Sequence, residues 1–436
     1  MEVMKTENRP QAQGAESLEE FITTFNLLEA EADLFSRCKD TRAFRWWDIV
    51  RYTVQFAVAT EKNLIGARKE TPPTKSQRLR SLARHIAGLG KFIQSFVSLK
   101  SGKIDTLYVS TRSLQAASAP FLEKATCILY VNKTGTTDSP HQALSKLTID
   151  FLLRCIVPLF RVPPEVALEA SRISAAIRDR FDVQADLSNP MLYKYRQARA
   201  SLWMWGVILN RLPALKRILF VNDDTLKSLV SLAHGKGIET IEIQHGYMGK
   251  AHFAYSYPSL PSGLSTLPDK ILITRDTGDI VVPIPKLTAN KAERSTSEER
   301  RRDIDILVGG SPTRSEEMRQ IVEALAETGL CIAVKLHPAQ TEESSGLRPL
   351  FPADLVTIFD GGEDFQALAN RSHIYIPANP TSTTVFEAVE AGADLITINY
   401  DGQKITSICD PIATAQVDSF DSLRDTVINH LERRLL

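Results

Sequence analysis

Five short stretches combine ionisable or hydroxyl side chains with residues that stop or turn the chain. In IEIQHGYMG (241–249) an alternating apolar run delivers Gln244, His245 and Gly246. Glycine lets the backbone turn and lets a ligand come close. A histidine there titrates near neutrality and can accept a proton from an acceptor hydroxyl, with a turn histidine bonded to backbone as the alternative. In VNDDT (221–225), Asp223 or Asp224 falls where a strand ends and a helix begins. Aspartate is a favoured helix N-cap. Its other reading is a general base, a carboxylate stabilising a developing oxocarbenium ion, or the nucleophile of a retaining transfer.

In VKLHPAQ (334–340), Lys335 and His337 share one face of a strand, and Pro338 ends the ladder and holds His337 extended. That histidine can donate a hydrogen bond to a phosphate oxygen. In ANPTSTTVFEAVEAG (378–392), Thr381, Ser382, Thr383 and Thr384 lead into a helix whose free amides and dipole favour an anion. One hydroxyl would satisfy an N-cap, and four exceed that need. Glu387, one turn in, reaches toward ribose hydroxyls or lies on a solvated helix face. In VGGSPTRSEE (308–317), Gly309 and Gly310 precede Ser311, Thr313 and Arg314, a candidate phosphate-contacting loop. No Gly-Lys-Ser/Thr follows, so it is not a P-loop. There is no GxGxxG, which disfavours a nicotinamide dehydrogenase, and no GxSxG, which weakens a serine hydrolase reading.

These stretches need elements that end where they begin. Strands are expected at 106–111, 127–131, 217–223, 240–245, 270–274, 303–311, 331–338, 356–361, 373–380 and 395–400. Helical patterns fall between them, near 143–156, 164–180, 189–211, 225–236, 315–328, 364–370 and 383–391, with a last amphipathic helix in the tail. Strands alternating with helices predict parallel α/β sheets, whose ligands bind beyond the carboxyl ends of the strands. The polar run 286–302 reads as a linker between two Rossmann-like domains, 101–290 and 300–410, with a closing helix at 411–436. Residues 1–14 read as disordered. The rest of 1–100 reads as an N-terminal helical extension, with a capping box at Ser17 and Glu20 and with Trp46 and Trp47 packed in a core or between domains.

The chain has 436 residues, too many for one ordinary core. Its 52 basic residues balance 52 acidic ones, which argues against binding that works by neutralising many phosphates. Five scattered cysteines show no metal-ligand spacing and fit a reducing compartment, the cytoplasm; Cys127 and Cys331 each open an apolar run and read as buried thiols. No apolar stretch is long enough to span a bilayer. Arg78–Arg80 with Arg84, and Arg300–Arg302, read as solvated charge or as contacts to an anionic membrane surface.

Together, IQHG, KLHP and TSTTVFEA resemble motifs of the GT-B glycosyltransferases of bacterial surface polysaccharide (capsule, O-antigen or lipopolysaccharide) synthesis. Relatives include capsule-type Kdo and sialic acid transferases and the CDP-glycerol glycerophosphotransferases of teichoic acid synthesis. The resemblance covers about residues 215–400. It implies a nucleotide-activated, CMP-linked donor held by His337, Pro338, Ser382 and Thr383, a base at His245, and metal-independent chemistry with no cofactor besides the donor. The motif is Thr-Ser-Thr-Thr where relatives carry Ser-Ser. A glycan or glycolipid acceptor would lie beside Gln244 and Gly246. Glycerophosphate transfer, UDP-sugar use or sugar-nucleotide epimerisation keep the fold and change the chemistry. A non-catalytic scaffold of a polysaccharide assembly complex, peripheral at the inner membrane, would use Trp46, Trp47 and Phe56 as a docking surface.

Overall fold

The computed structural model describes residues 18–41, 44–62, 64, 88–99, 101–110, 121–132, 142–221, 223–244, 248, 252–257, 264–273, 284–288, 302–311, 314–337, 340, 348–350, 355–360, 363–379, 382, 384–399 and 412–435; at 101, 223–225, 288, 350, 434 and 435 it describes backbone alone. The chain forms two compact units, one spanning residues 22–298, the other residues 299–436 with the start of the chain.

The first unit holds β1 (Thr106–Val109), β2 (Ile128–Asn132), β3 (Gln142–Ser145), β4 (Arg217–Phe220), β5 (Glu239–Ile243), β6 (Lys270–Ile273) and β7 (Lys286–Thr288). They pair in parallel in the order β3-β2-β1-β4-β5-β6-β7. The second unit holds β8 (Ile304–Gly309), β9 (Ile332–Lys335), β10 (Val356–Phe359), β11 (Ser372–Pro377), β12 (Asp394–Ile398) and β13 (Ala415–Val417), parallel in the order β10-β9-β8-β11-β12-β13. In both, the chain runs from a central strand to one edge and then returns to that strand's other side. This is the doubly wound Rossmann order, so the two α/β units expected from the sequence are the fold observed.

Apolar runs without strict alternation suit strands covered on both faces. Leu107, Val109, Ile218 and Phe220 face one core layer, while Tyr108, Leu219 and Ile241 face the other. In the second sheet Ile306, Val308, Val334 and Ile376 line one side, and Leu307, Ala333 and Tyr375 the other. The helices are α1 (Leu18–Glu31), α2 (Leu34–Arg37), α3 (Trp47–Glu61), α4 (Lys146–Ile156), α5 (Pro164–Phe181), α6 (Ser188–Asn210), α7 (Asp223–Gly235), α8 (Ser315–Ala326), α9 (Phe365–Asn370), α10 (Thr384–Glu390) and α11 (Phe420–Leu435), with a further helical stretch over 88–97.

Three expectations change, and Trp46 and Trp47 take the core reading. Residues 142–145 form β3 rather than the start of a helix, and Ser145 caps α4 by accepting a bond from Thr148 N at 3.2 Å. Residues 286–288 form edge strand β7 on β6 instead of linker. Cys331 is exposed, because the buried strand begins one residue later at Ile332; Cys127 is half-buried, and among the described residues the buried thiol is Cys38. Trp46 and Trp47 are 1% exposed, so they are core and offer no docking surface. The N-terminal helices belong to the body of the first unit, with α3 packed on α6 and α7. Ser17 of the expected capping box lies outside the described residues.

Candidate functional site

β8 and β11 are neighbours whose connections leave in opposite directions, so the loops beyond their carboxyl ends part there. The loop after β8 is Gly309-Gly310-Ser311. Gly310 N donates to Lys335 O at the end of β9 (2.8 Å), and Ala378 N, just past β11, donates to Gly309 O (2.9 Å). Three strand ends are thereby laced together. Close neighbours explain both glycines. A Cβ on Gly309 would overlap the Tyr375 hydroxyl and stand 2.9 Å from its ring. A Cβ on Gly310 would stand 2.6 Å from Gln340 Oε1 and 3.1 Å from His337 N and Leu336 Cα.

Gln340 is fully buried. Its Oε1 accepts from His337 N (3.2 Å), its Nε2 donates to Ser315 Oγ (2.9 Å), and its own N donates to His337 O (2.7 Å). The backbone of His337 is thus fixed against the start of α8 without using the imidazole. Lys335 lies 3.9 Å from Glu363, and Arg314 lies 3.4 Å from Glu317 on the first turn of α8. Ser311 is buried, and its carbonyl accepts from Arg314 N at 3.2 Å.

Beyond β11 three hydroxyls form a row. Tyr375 Oη is 2.5 Å from Thr384 Oγ1, which is 2.7 Å from Ser382 Oγ. Three hydroxyls carry three protons and share two bonds, so one O–H is directed outside the row. Glu387 sits half-buried on the first turn of α10.

The structure therefore brings Gly310, Ser311, Arg314, Lys335, His337, Ser382 and Glu387 to the carboxyl edge of one sheet. In the other unit, Asp223 and Asp224 open α7 directly beyond β4, at the β1/β4 crossing, and only their backbone is described. Gln244 follows β5, buried, its N donating to Leu272 O at 3.0 Å. His245, Gly246, Pro338, Thr381 and Thr383 lie outside the described residues, as do Arg78–Arg80, Arg84, Arg300 and Arg301. Sequence reasoning missed Gln340 and Tyr375. Gln340 lies in the motif, three residues past His337, but only the fold shows that it fills the space beside Gly310.

The first unit also carries a buried polar network that the sequence did not announce. Lys227, one turn into α7, donates to Asp48 Oδ2 (2.7 Å) and to Tyr257 Oη (3.0 Å); Tyr257 Oη donates to Asp48 Oδ1 (2.6 Å), and Thr266 Oγ1 also donates to Asp48. Burial pushes the Asp48 carboxyl up, but the Lys227 charge and the bonds from Lys227, Thr266 and Tyr257 outweigh it and hold the group below the usual carboxylate range. Burial, with Asp48 beside it, pushes the Tyr257 phenol up. Arg51 grips Glu29 with two bonds, Nε to Oε1 at 2.8 Å and Nη2 to Oε2 at 2.7 Å. The same guanidinium donates to Phe253 O (2.9 Å) and Ser256 O (3.1 Å) and lies 4.4 Å from the Tyr257 ring centroid. These contacts tie α1, α3 and α7 to the segment 252–257. The carboxylates and cations neutralise one another and are hydrogen-bonded, as buried charge requires, so the network is read as a clamp and not as a reaction centre.

No family model matches the chain, and no curated protein matches it. Solved structures that superpose on it include the spinosyn rhamnosyltransferase SpnG complexed with thymidine diphosphate, at 12% identity and a TM-score of 0.45 over 76% of this chain and 92% of that one. The glycotransferase of kitacinnamycin superposes at 11% identity and a TM-score of 0.44, over 75% and 90%. The UDP-GlcNAc 2-epimerase of Methanocaldococcus jannaschii does so at 11% identity and 0.41, over 75% and 91%. At these scores the superpositions carry no weight for reaction or substrate.

Proposed function

We propose that this chain is a glycosyltransferase that takes its sugar from a nucleotide-activated donor, and that the carboxyl edge of the second sheet holds the nucleotide. The observation that supports this reading is the lacing of Gly309–Gly310, His337 and the Ser382–Thr384 hydroxyls around the β8/β11 crossing. Lys335 supplies positive charge, the His337 ring a hydrogen-bond donor, and the hydroxyl row one more O–H. Glu387 suits ribose hydroxyls. Such preorganised donors stabilise a departing phosphate, each by about 2–4 kcal/mol where it acts in the transition state.

The donor is a CMP-linked sugar of the Kdo or sialic acid class, and the acceptor a glycan or glycolipid of a bacterial surface polysaccharide, met at the cytoplasmic face of the inner membrane. His245 accepts the proton of the acceptor hydroxyl as its oxygen attacks the anomeric carbon. The bond from that carbon to the phosphate oxygen breaks, and the nucleotide leaves with the electron pair. Asp223 or Asp224 steadies the developing positive charge. Separate incubation with CMP-Kdo, CMP-sialic acid, CDP-glycerol and UDP-sugars, each with a glycan acceptor, tests this: CMP release with a glycosylated product is expected. Release only from CDP-glycerol would replace the reading by glycerophosphate transfer, UDP release would replace the donor, and no release from any would return the chain to a scaffold.

A further inference from the structure

On one side of the first sheet, the 88–97 helix, α4 and α6 share a core. Phe92, Ile149, Met204, Trp205 and Ile208 pack into it together, Gly88 lies against Thr148, and the Arg211 guanidinium sits 5.3 Å over the Phe96 ring. The opposite sides of these helices face solvent and are unusually apolar. On these helices Val97 is 67% exposed, Trp203 54% and Ile93 52%, with Leu147 and Val207 also exposed, and Leu159, in the short 3-10 turn that follows α4, is 76% exposed. Trp203 and Val207 stand one turn apart on α6, and so do Ile93 and Val97 on their helix, so each pair forms a stripe. Isolated exposed apolar residues are ordinary, whereas a cluster of this size on one layer calls for an occupant.

Charge says which occupant. Residues 88–99, 146–161 and 188–211 contain eight lysines and arginines and a single acid, Asp150, in a chain whose basic and acidic residues are equal in number. Asp150 is paired with Lys146 at 2.5 Å. Lys91, Arg154, Arg161, Arg196 and Arg211 are exposed. Two copies of this chain meeting through the layer would bring like charges together. A bilayer with anionic head groups accepts both features: apolar tips enter the boundary between head groups and acyl chains, and the cations meet lipid phosphate. No helix among the described residues is long and apolar enough to cross a membrane, so the contact would be peripheral.

We infer that the outer face of the 88–97 helix, α4 and α6 docks on an anionic lipid bilayer. Trp203 reports on this directly, because the other three tryptophans, Trp46, Trp47 and Trp205, are each 1% exposed. The test is cosedimentation of the full chain with phosphatidylcholine vesicles, with and without about a third phosphatidylglycerol, combined with quenching of tryptophan emission by acyl-brominated lipid. Binding to the anionic vesicles that weakens with salt is expected, with quenching that disappears in Trp203→Phe. Arg154→Gln and Arg196→Gln should each weaken binding about fivefold, the equivalent of about 1 kcal/mol per charge at the surface. Arg433→Gln, exposed on α11 of the other unit, should leave it unchanged. Because the replaced side chains are exposed, circular dichroism should show native helix content in every variant. Failure of the native protein to sediment with anionic vesicles, unquenched Trp203 on vesicles that do bind, or self-association through this layer would overturn the inference. None of these results bears on nucleotide binding by the second unit.

Discussion

Gln340 Oε1 occupies the space that a side chain on Gly310 would need, 2.6 Å from where its Cβ would stand. Gln340 cannot simply swing aside, since it is buried and bonded to His337 N and Ser315 Oγ. Gly310→Ala should therefore cost about 1–3 kcal/mol by overpacking and by unmaking those bonds. Gln340→Ala makes room, so the double variant should be less destabilised than the sum of the two, as denaturant unfolding would show. Strict additivity would mean that the two residues do not share this space.

Gly309 and Tyr375 make a second such pair, with a stiffer partner. Gly309→Ala drives a methyl group into an aromatic ring that the core holds in place, and should cost about 1–3 kcal/mol. Tyr375→Phe keeps the ring and deletes the bond to Thr384, so about 1 kcal/mol is expected. A larger loss for Tyr375→Phe than for Gly309→Ala would contradict the assignment of the glycine to ring clearance.

The clamp of the first unit gives a sharper stability test. Lys227 and Asp48 are 2.7 Å apart and 1% exposed. Asp48→Asn or Lys227→Met each strands a buried charge, and each should destabilise by about 3–5 kcal/mol. Asp48→Asn with Lys227→Met should recover a large part of that loss. Thermal unfolding of the three variants reads the cycle.

The same carboxylate predicts an acid limit. The folded pKa of Asp48 is depressed below its unfolded value, so its stabilisation is present above the unfolded value of about 3.9 and fades as pH falls through the folded one. Between pH 5 and pH 3 the native chain should lose stability more steeply than Asp48→Asn, by up to about 1.4 kcal/mol per pH unit for one proton. Equal slopes in urea unfolding would show that Asp48 does not carry this linkage.

Strand positions were legible because buried parallel strands leave runs such as CILYV and HIYIP that few other structures use. The edge strands β3, β7 and β13 were not, since a strand of three or four residues with one neighbour needs no continuous apolar run. The glycine pair, His337 and the hydroxyl run could be singled out because strand ends in such sheets carry function. Gln340 and Tyr375 escaped notice because each matters only through a glycine distant in the chain or across a turn. The clamp was invisible for the same reason: Lys227 and Asp48 are 179 residues apart in sequence.

Calorimetric titration with CMP tests the central claim most directly. The native chain should bind CMP, and His337→Ala should bind it at least roughly tenfold more weakly, the loss of one charge-assisted contact. The bonds that hold residue 337 to Gln340 are backbone bonds at that residue, so they remain in His337→Ala. No heat from the native chain at millimolar CMP, or equal affinity in His337→Ala, would contradict the account.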